Sequence, residues 1–284
     1  MFERVAIVGV GLIGGSLGLA LRGRGMAREV VGIGRSEASL ERAVTHGAIT
    51  RYATDLRYGI READLVVLAT PISRILSDLE RLNDGLSPEC VVTDVGSTKS
   101  DIARAGDEAV PGGRFVPGHP MAGSEKSGVD AARADLFNGA TWALTATEMT
   151  NPEALGRVRD MAVGVGAHVR EFSPEAHDRA VAVTSHLPHV LAYALAAVAG
   201  GRVAEEPQLF DLAAGSFASG TRVAHSDPDL WVEIALANRK ALAEAVRESR
   251  AQLDHALAAL DQGDTDALRG AFRRGWDAVR SLRA

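Results

Sequence analysis

The stretch RVAIVGVGLIGGSLGLAL, residues 4–21, limits what this chain can fold into more than any other. Residues 4–10 form a short apolar run rich in β-branched side chains, which reads as a buried strand. Residues 16–25 space their apolar side chains as a helix does. Between them, Gly9, Gly11 and Gly14 fall in the pattern G-x-G-x-x-G. The pattern alone is weak, because glycine is common in tight turns; a strand before it and a helix after it supply the required context. Gly9 permits the sharp turn, Gly11 lets the backbone approach a pyrophosphate, and Gly14 lets helix and strand pack closely. The phosphates then meet the free N–H groups around Leu12 and Ile13 at the helix start. A dinucleotide cofactor is expected.

The end of the second strand, EVVGIG (29–34), should distinguish the dinucleotides. An acid there would bind the ribose 2′-hydroxyl of NAD. This chain has Arg35 and Ser36, with no acid before Glu37. A guanidinium beside a hydroxyl suits a 2′-phosphate, so the cofactor is NAD(P)+ with a lean to NADP+ or dual use. A solvent-facing Arg35 is the alternative.

Strand and helix patterns go on alternating. Helix 39–47 is followed by strands at 64–71, 89–97, 114–120 and 141–147. This alternation predicts a mainly parallel sheet covered on both faces. After about residue 172 the strand patterns stop and alanine-rich helical ones begin. Residues 174–200 read as one helix or a broken pair. Asp227 before Pro228 marks a helix start, with the helix running to about Leu260. Leu268, Phe272, Trp276 and Val279 form an apolar stripe. The expected fold class is a Rossmann-like α/β parallel-sheet dinucleotide-binding domain over 1–172, followed by an all-helical substrate and dimerisation domain over 173–284.

Composition narrows the function. A net charge of −6 gives no chain-wide basic surface for nucleic acid. No uninterrupted apolar run reaches the roughly 18 residues of a membrane span, and no signal peptide opens the chain, so a cytoplasmic location is expected. Cys90 is the only cysteine and lies in an apolar run, as a buried structural thiol would.

Ligands bind beyond the carboxyl ends of the strands in open parallel sheets. Thr70 and Pro71 end one strand, Ser97 follows another, and GHPMAGSEKSG (118–128) follows a third. Ser97 could equally be a helix N-cap. His119, among turn formers, is a natural proton acceptor near neutral pH. His177, His186 and His189 cluster in the helical half, but no acid or thiol completes a metal-ligand set by spacing, so no metal is expected. Capping and packing, or a substrate pocket, are the remaining readings. Arg222 follows a glycine turn and precedes a helix; buried, its fork would match a carboxylate, and exposed it would be a surface charge.

Together GVGLIGGSLGLAL, DVGSTK, GHPMAGSEKSG, TSHLPH and TRVAHSDPDLW resemble the prephenate dehydrogenase (TyrA) family of tyrosine biosynthesis, in order, from the first strand to at least Trp231. HPMAGSE with SHLPH is far more specific than the glycine loop. The resemblance implies oxidative decarboxylation of prephenate to 4-hydroxyphenylpyruvate by NAD(P)+; a close variant takes arogenate to tyrosine. It implies His119 as the catalytic histidine on the ring hydroxyl, with Ser97 orienting it beside the nicotinamide. Arg222 would bind the ring carboxylate and His189 the substrate side chain or cofactor, with prephenate preferred because a cation or donor at His189 suits a pyruvyl group. His177 and His186 would support the pocket and Glu125 would join its polar mouth. It also implies a homodimer formed by the helical half; no extra regulatory domain is expected. Arg35 and Ser36 depart from relatives with an acid at that strand end, and Ser219 stands where some relatives have an acid.

Two other readings share parts of this pattern. A β-hydroxyacid dehydrogenase would need a lysine base in the helical half, where only Lys240 is present. A non-catalytic NADP sensor would explain the glycine loop but not His119, His189 and Arg222 together.

Overall fold

The computed structural model describes residues 1–82, 85–124 and 126–281. Strands β1 (Phe2–Val8), β2 (Ala27–Ile33), β3 (Arg51–Ala53), β4 (Leu65–Leu68), β5 (Val91–Asp94) and β6 (Phe115–Val116) form one sheet in the order β3-β2-β1-β4-β5-β6. Every pairing in it is parallel. Helices α1 (Leu12–Gly23), α2 (Glu37–Thr45), α3 (Leu56–Ile60), α4 (Ile72–Leu79) and α5 (Ser100–Ala109) connect these strands. Successive side chains of β1 serve opposite faces: Val5 and Ile7 join one apolar cluster, Ala6 and Val8 the other. Burial on both faces explains why the strands read as unbroken apolar runs. Each large aliphatic side chain so buried contributes roughly 1.5–3 kcal/mol.

The expected strand at 114–120 is two strands in two sheets. Pro117 lacks the N–H a ladder needs, and the chain leaves the parallel sheet there. Beyond it, β7 (Gly118–Pro120) pairs antiparallel with β8 (Thr141–Leu144), and β8 pairs parallel with β9 (His168–Glu171). Helix α6 (Pro152–Gly164) joins β8 to β9.

The remainder is helical. Helix α7 (Pro174–Val181) runs into a π-turn at Ala182–His186 and continues as α8 (Leu187–Arg202). Pro188 cannot bond to the carbonyl four residues back, which accounts for the local unwinding. Helix α9 (Gly215–Thr221) precedes α10 (Pro228–Ala237), whose N-cap Asp227 accepts a hydrogen bond from the Asp229 N–H at 3.0 Å. The helix expected to reach Leu260 breaks at Asn238, and α11 (Arg239–Gln262) and α12 (Thr265–Ser281) follow. The α8, α11 and α12 faces leave Val198, Leu257, Phe272 and Trp276 exposed. Cys90 is buried, and burial pushes its thiol up to about 12, so it stays protonated and inert.

The glycine loop separates its roles cleanly. A Cβ at Gly14 would lie 2.1 Å from the Gly9 carbonyl oxygen, whereas one at Gly11 would meet nothing within 4 Å. Gly14→Ala is therefore expected to destabilise the fold by about 2–3 kcal/mol in denaturant titration. Gly11→Ala should leave stability within about 1 kcal/mol while weakening dinucleotide binding. Equal stability losses would contradict this division.

Candidate active site

The carboxyl ends of β1, β2 and β4 open onto two adjacent hollows of about 490 and 550 Å³ that share Gly34 and Arg35. The first turn of α1 has no side-chain cap, so its amides face the loop free. Thr70 and Pro71 line the second hollow, and the buried Thr70 Oγ1 has no hydrogen-bond partner. Open space at Gly11, uncapped amides and an orphaned hydroxyl fit a dinucleotide laid across the strand ends. Arg35 is exposed and forms no ion pair among the described residues. The Ser36 hydroxyl caps α2, accepting from the Ser39 N–H at 3.3 Å. Leu12 and Ile13 are half-buried at the helix start, packed against the core.

Strand β7 holds His119 rigidly. Asp94 at the end of β5 accepts from the Gly118 N–H at 3.1 Å, and the Lys99 Nζ donates to the Gly118 carbonyl at 2.8 Å. Asp94 and Lys99 are themselves a fully buried ion pair. Burial pushes the Asp94 carboxyl up and the Lys99 amine down, and their mutual bond opposes both shifts. Gly118 is glycine for packing, since a Cβ there would sit 2.9 Å from the Trp142 Nε1.

His119 heads a chain of three groups. His119 Nδ1 lies 2.9 Å from His177 Nε2, and His177 Nδ1 lies 2.9 Å from Asp178 Oδ1. Burial alone would raise the Asp178 carboxyl; bonds from His177, Ser100 and the Lys99 amide outweigh it and hold it at about 2. Ionised Asp178 can only accept, so His177 Nδ1 carries a proton. A His177 carrying that single proton accepts at Nε2, and His119 then donates from Nδ1. The lone pair of His119 is left on Nε2. Burial, reinforced by the Lys99 charge, pushes the His119 imidazole well below 6.5, so it is neutral near pH 7.

His119 lines a cleft of about 500 Å³ together with Ser97, Lys126, His189, Arg222 and Trp231. The β-sheet half and the helical half thus contribute to one site. Ser97 does not cap α5. That role belongs to Asp178 in α7, which accepts from the Lys99 N–H at 2.7 Å and the Ser100 N–H at 2.9 Å. Arg222 is exposed rather than buried, and it pairs with no acid among the described residues.

His189 departs from the expected donor. Its Nδ1 donates to the Ser185 carbonyl at 2.9 Å, which leaves Nε2 as an acceptor in the neutral ring. Burial lowers its pKa and the nearby Arg222 adds to that, so the ring is neutral and stacks on Trp231 at 3.3 Å between centroids. His177 and His186 do not line the cleft: His177 backs His119, while His186 is buried near Asn238 Nδ2 at 3.2 Å. Glu125 lies outside the described residues. Lys240 lines a separate groove with Glu175 and Arg179, away from the cleft, which removes the β-hydroxyacid reading.

The buried imidazoles set a pH dependence of stability. Burial lowers His186 to about 4, against 6.5 in an unfolded chain. Between these values the unfolded state binds more protons, so stability is present above pH 6.5 and lost as pH falls towards 4. The loss expected from His186 is about 3 kcal/mol. Urea titrations across this window should show a shallower decline for His186→Gln than for the wild type; identical slopes would refute it.

Comparison with known proteins agrees with this geometry. The family model for the prephenate dehydrogenase nucleotide-binding domain matches residues 17–171, and that for the prephenate dehydrogenase dimerization domain matches 173–274. Prephenate dehydrogenase of Bacillus subtilis is 35% identical over 98% of this chain and 75% of its own length. The Aquifex aeolicus prephenate dehydrogenase, solved with hydroxyphenyl propionate and NAD+, superposes with a TM-score of 0.92 at 32% identity, covering 99% of each chain. Synechocystis arogenate dehydrogenase superposes with a TM-score of 0.83 at 33% identity, covering 99% of this chain and 100% of its own. With His119, His189 and Arg222 on one cleft beside a glycine-loop hollow, and both family domains matched, the chain belongs to the prephenate dehydrogenase family.

Proposed function

We propose that this protein oxidatively decarboxylates prephenate, using a nicotinamide dinucleotide bound across Gly9, Gly11 and Gly14. The observation that carries this reading is His119, with its Nε2 free, and Arg222, with no acid partner, on the same cleft among the described residues. A bound dinucleotide would supply the hydride acceptor. His119 Nε2 takes the proton of the ring hydroxyl while the hydrogen on that carbon departs as hydride, and the hydroxyl carbon becomes a carbonyl. The bond to the ring carboxylate then breaks, carbon dioxide leaves, and the electron pair makes the ring aromatic. The proton returns from His119 to the ring oxygen. His119 is base and then acid, with no net proton consumed, which suits a weakly basic imidazole.

Arg222 holds the ring carboxylate bidentately, and Ser97 orients the hydroxyl end. Among the described residues, Arg222 and Lys126 against Asp227 give the cleft lining a net positive charge, which favours dianionic prephenate over arogenate, whose ammonium leaves it a monoanion. Arg35, with the Ser36 and Ser39 hydroxyls beside it, supports use of NADP+. The exposed apolar faces of α8, α11 and α12 support a homodimer through the helical half.

Reduced-nicotinamide absorbance, followed with prephenate or arogenate and either cofactor, tests the reading. Turnover of prephenate is expected, with kcat at least about 100-fold lower in His119→Asn and KM little changed. The acidic limb of kcat/KM should lie below pH 6.5, because the neutral imidazole is the active form and its pKa is depressed. An unaltered kcat in the variant, or a limb above 6.5, would reject the role of His119.

A further inference from the structure

Helix α10 stands between the two sites. On one side Leu230, Trp231 and Ile234 line the cleft, and Trp231 stacks on His189. On the other, Glu233 enters the hollow that contains Gly9, Thr70 and Pro71. There its Oε1 accepts the hydrogen bond of the Ser73 backbone N–H in the first turn of α4. That turn has no side-chain cap of its own. Glu233, distant in sequence, satisfies an amide that lacks an intrahelical partner, and its charge meets the positive end of the helix dipole. Ile234 packs in the same apolar cluster as Ile72 and Ile75 of α4. A shift of α4 relative to α10 therefore breaks the Glu233 bond or moves the cleft wall with it.

We propose that Glu233 is a positioning residue through which dinucleotide binding sets the substrate cleft. This rests on reading the hollow as the dinucleotide site and the cleft as the substrate site. A dinucleotide seated on Thr70 and Pro71 fixes the start of α4; Glu233 carries that constraint to α10, and α10 aligns Trp231 and His189. Linkage makes the effect reciprocal, so each ligand tightens the other.

Calorimetric titration of the full chain with hydroxyphenyl propionate, with and without saturating NAD+ (replaced throughout by NADP+ if the wild type binds that tighter), tests this. The wild type is expected to bind the acid at least about fivefold tighter with NAD+ present. Glu233→Ala should bring that ratio near one, with NAD+ binding alone changed by less than about twofold. Glu233→Gln, whose amide oxygen can still accept from Ser73, should keep the ratio. Glu233→Asp, one methylene shorter, should lose it and replaces the alanine variant if that one does not fold. A ratio in these shortened variants equal to the wild type's, or no ratio in the wild type, overturns the coupling alone. A wild type that binds neither ligand overturns the functional reading and the coupling with it.

Discussion

The Asp178 carboxylate is where the two halves of the molecule and its chemistry meet. It accepts from the Lys99 N–H at 2.7 Å, the Ser100 N–H at 2.9 Å, the Ser100 hydroxyl at 2.6 Å and His177 Nδ1 at 2.9 Å. Three of these bonds come from the start of α5 and dock the helical half on the sheet. The fourth fixes the tautomer of His177 and, through it, that of His119. Its backbone carbonyl meanwhile accepts from Asn238 Nδ2 at 2.7 Å, at the break between α10 and α11. Docking and proton placement are thus one arrangement, and neither can be altered without the other.

The buried Asp94–Lys99 pair does similar work on the sheet side. Desolvating two charges is costly, and such pairs are often no more stabilising than apolar replacements. Its value lies in geometry: both groups bond to Gly118, the residue before His119. Removing one partner would strand the other's charge beside the imidazole. The site is therefore rigid on the sheet side, where the base sits. On the helical side it depends on α10, whose position is set by contacts with α4.

The nucleotide-binding half was legible because its elements are announced locally. Gly9, Gly11 and Gly14 stand between a β-branched run and a helical one, and the strands are apolar on both faces. His119 stood out because nothing around it could be a core. Short or exposed elements such as β3, α3 and β9 carry no periodic pattern long enough to read. Pro117 was visible, but that it divides two sheets depends on tertiary pairing with β8. Asp178 is one residue from a histidine that was singled out, yet its role is a cap on a helix 78 residues away, which no local spacing reveals. Likewise, the acceptor character of His189 follows from the Ser185 carbonyl, and a sequence cannot show which ring nitrogen that carbonyl occupies.

The chemistry of the site comes down to which nitrogen of His119 carries the proton. Long-range 1H–15N correlation spectra of histidine-labelled protein, with His119→Asn used for assignment, answer this directly. At neutral pH the arrangement predicts a neutral ring protonated on Nδ1, with Nε2 showing the shift of an unprotonated nitrogen. A proton on Nε2, or on both nitrogens, would contradict it.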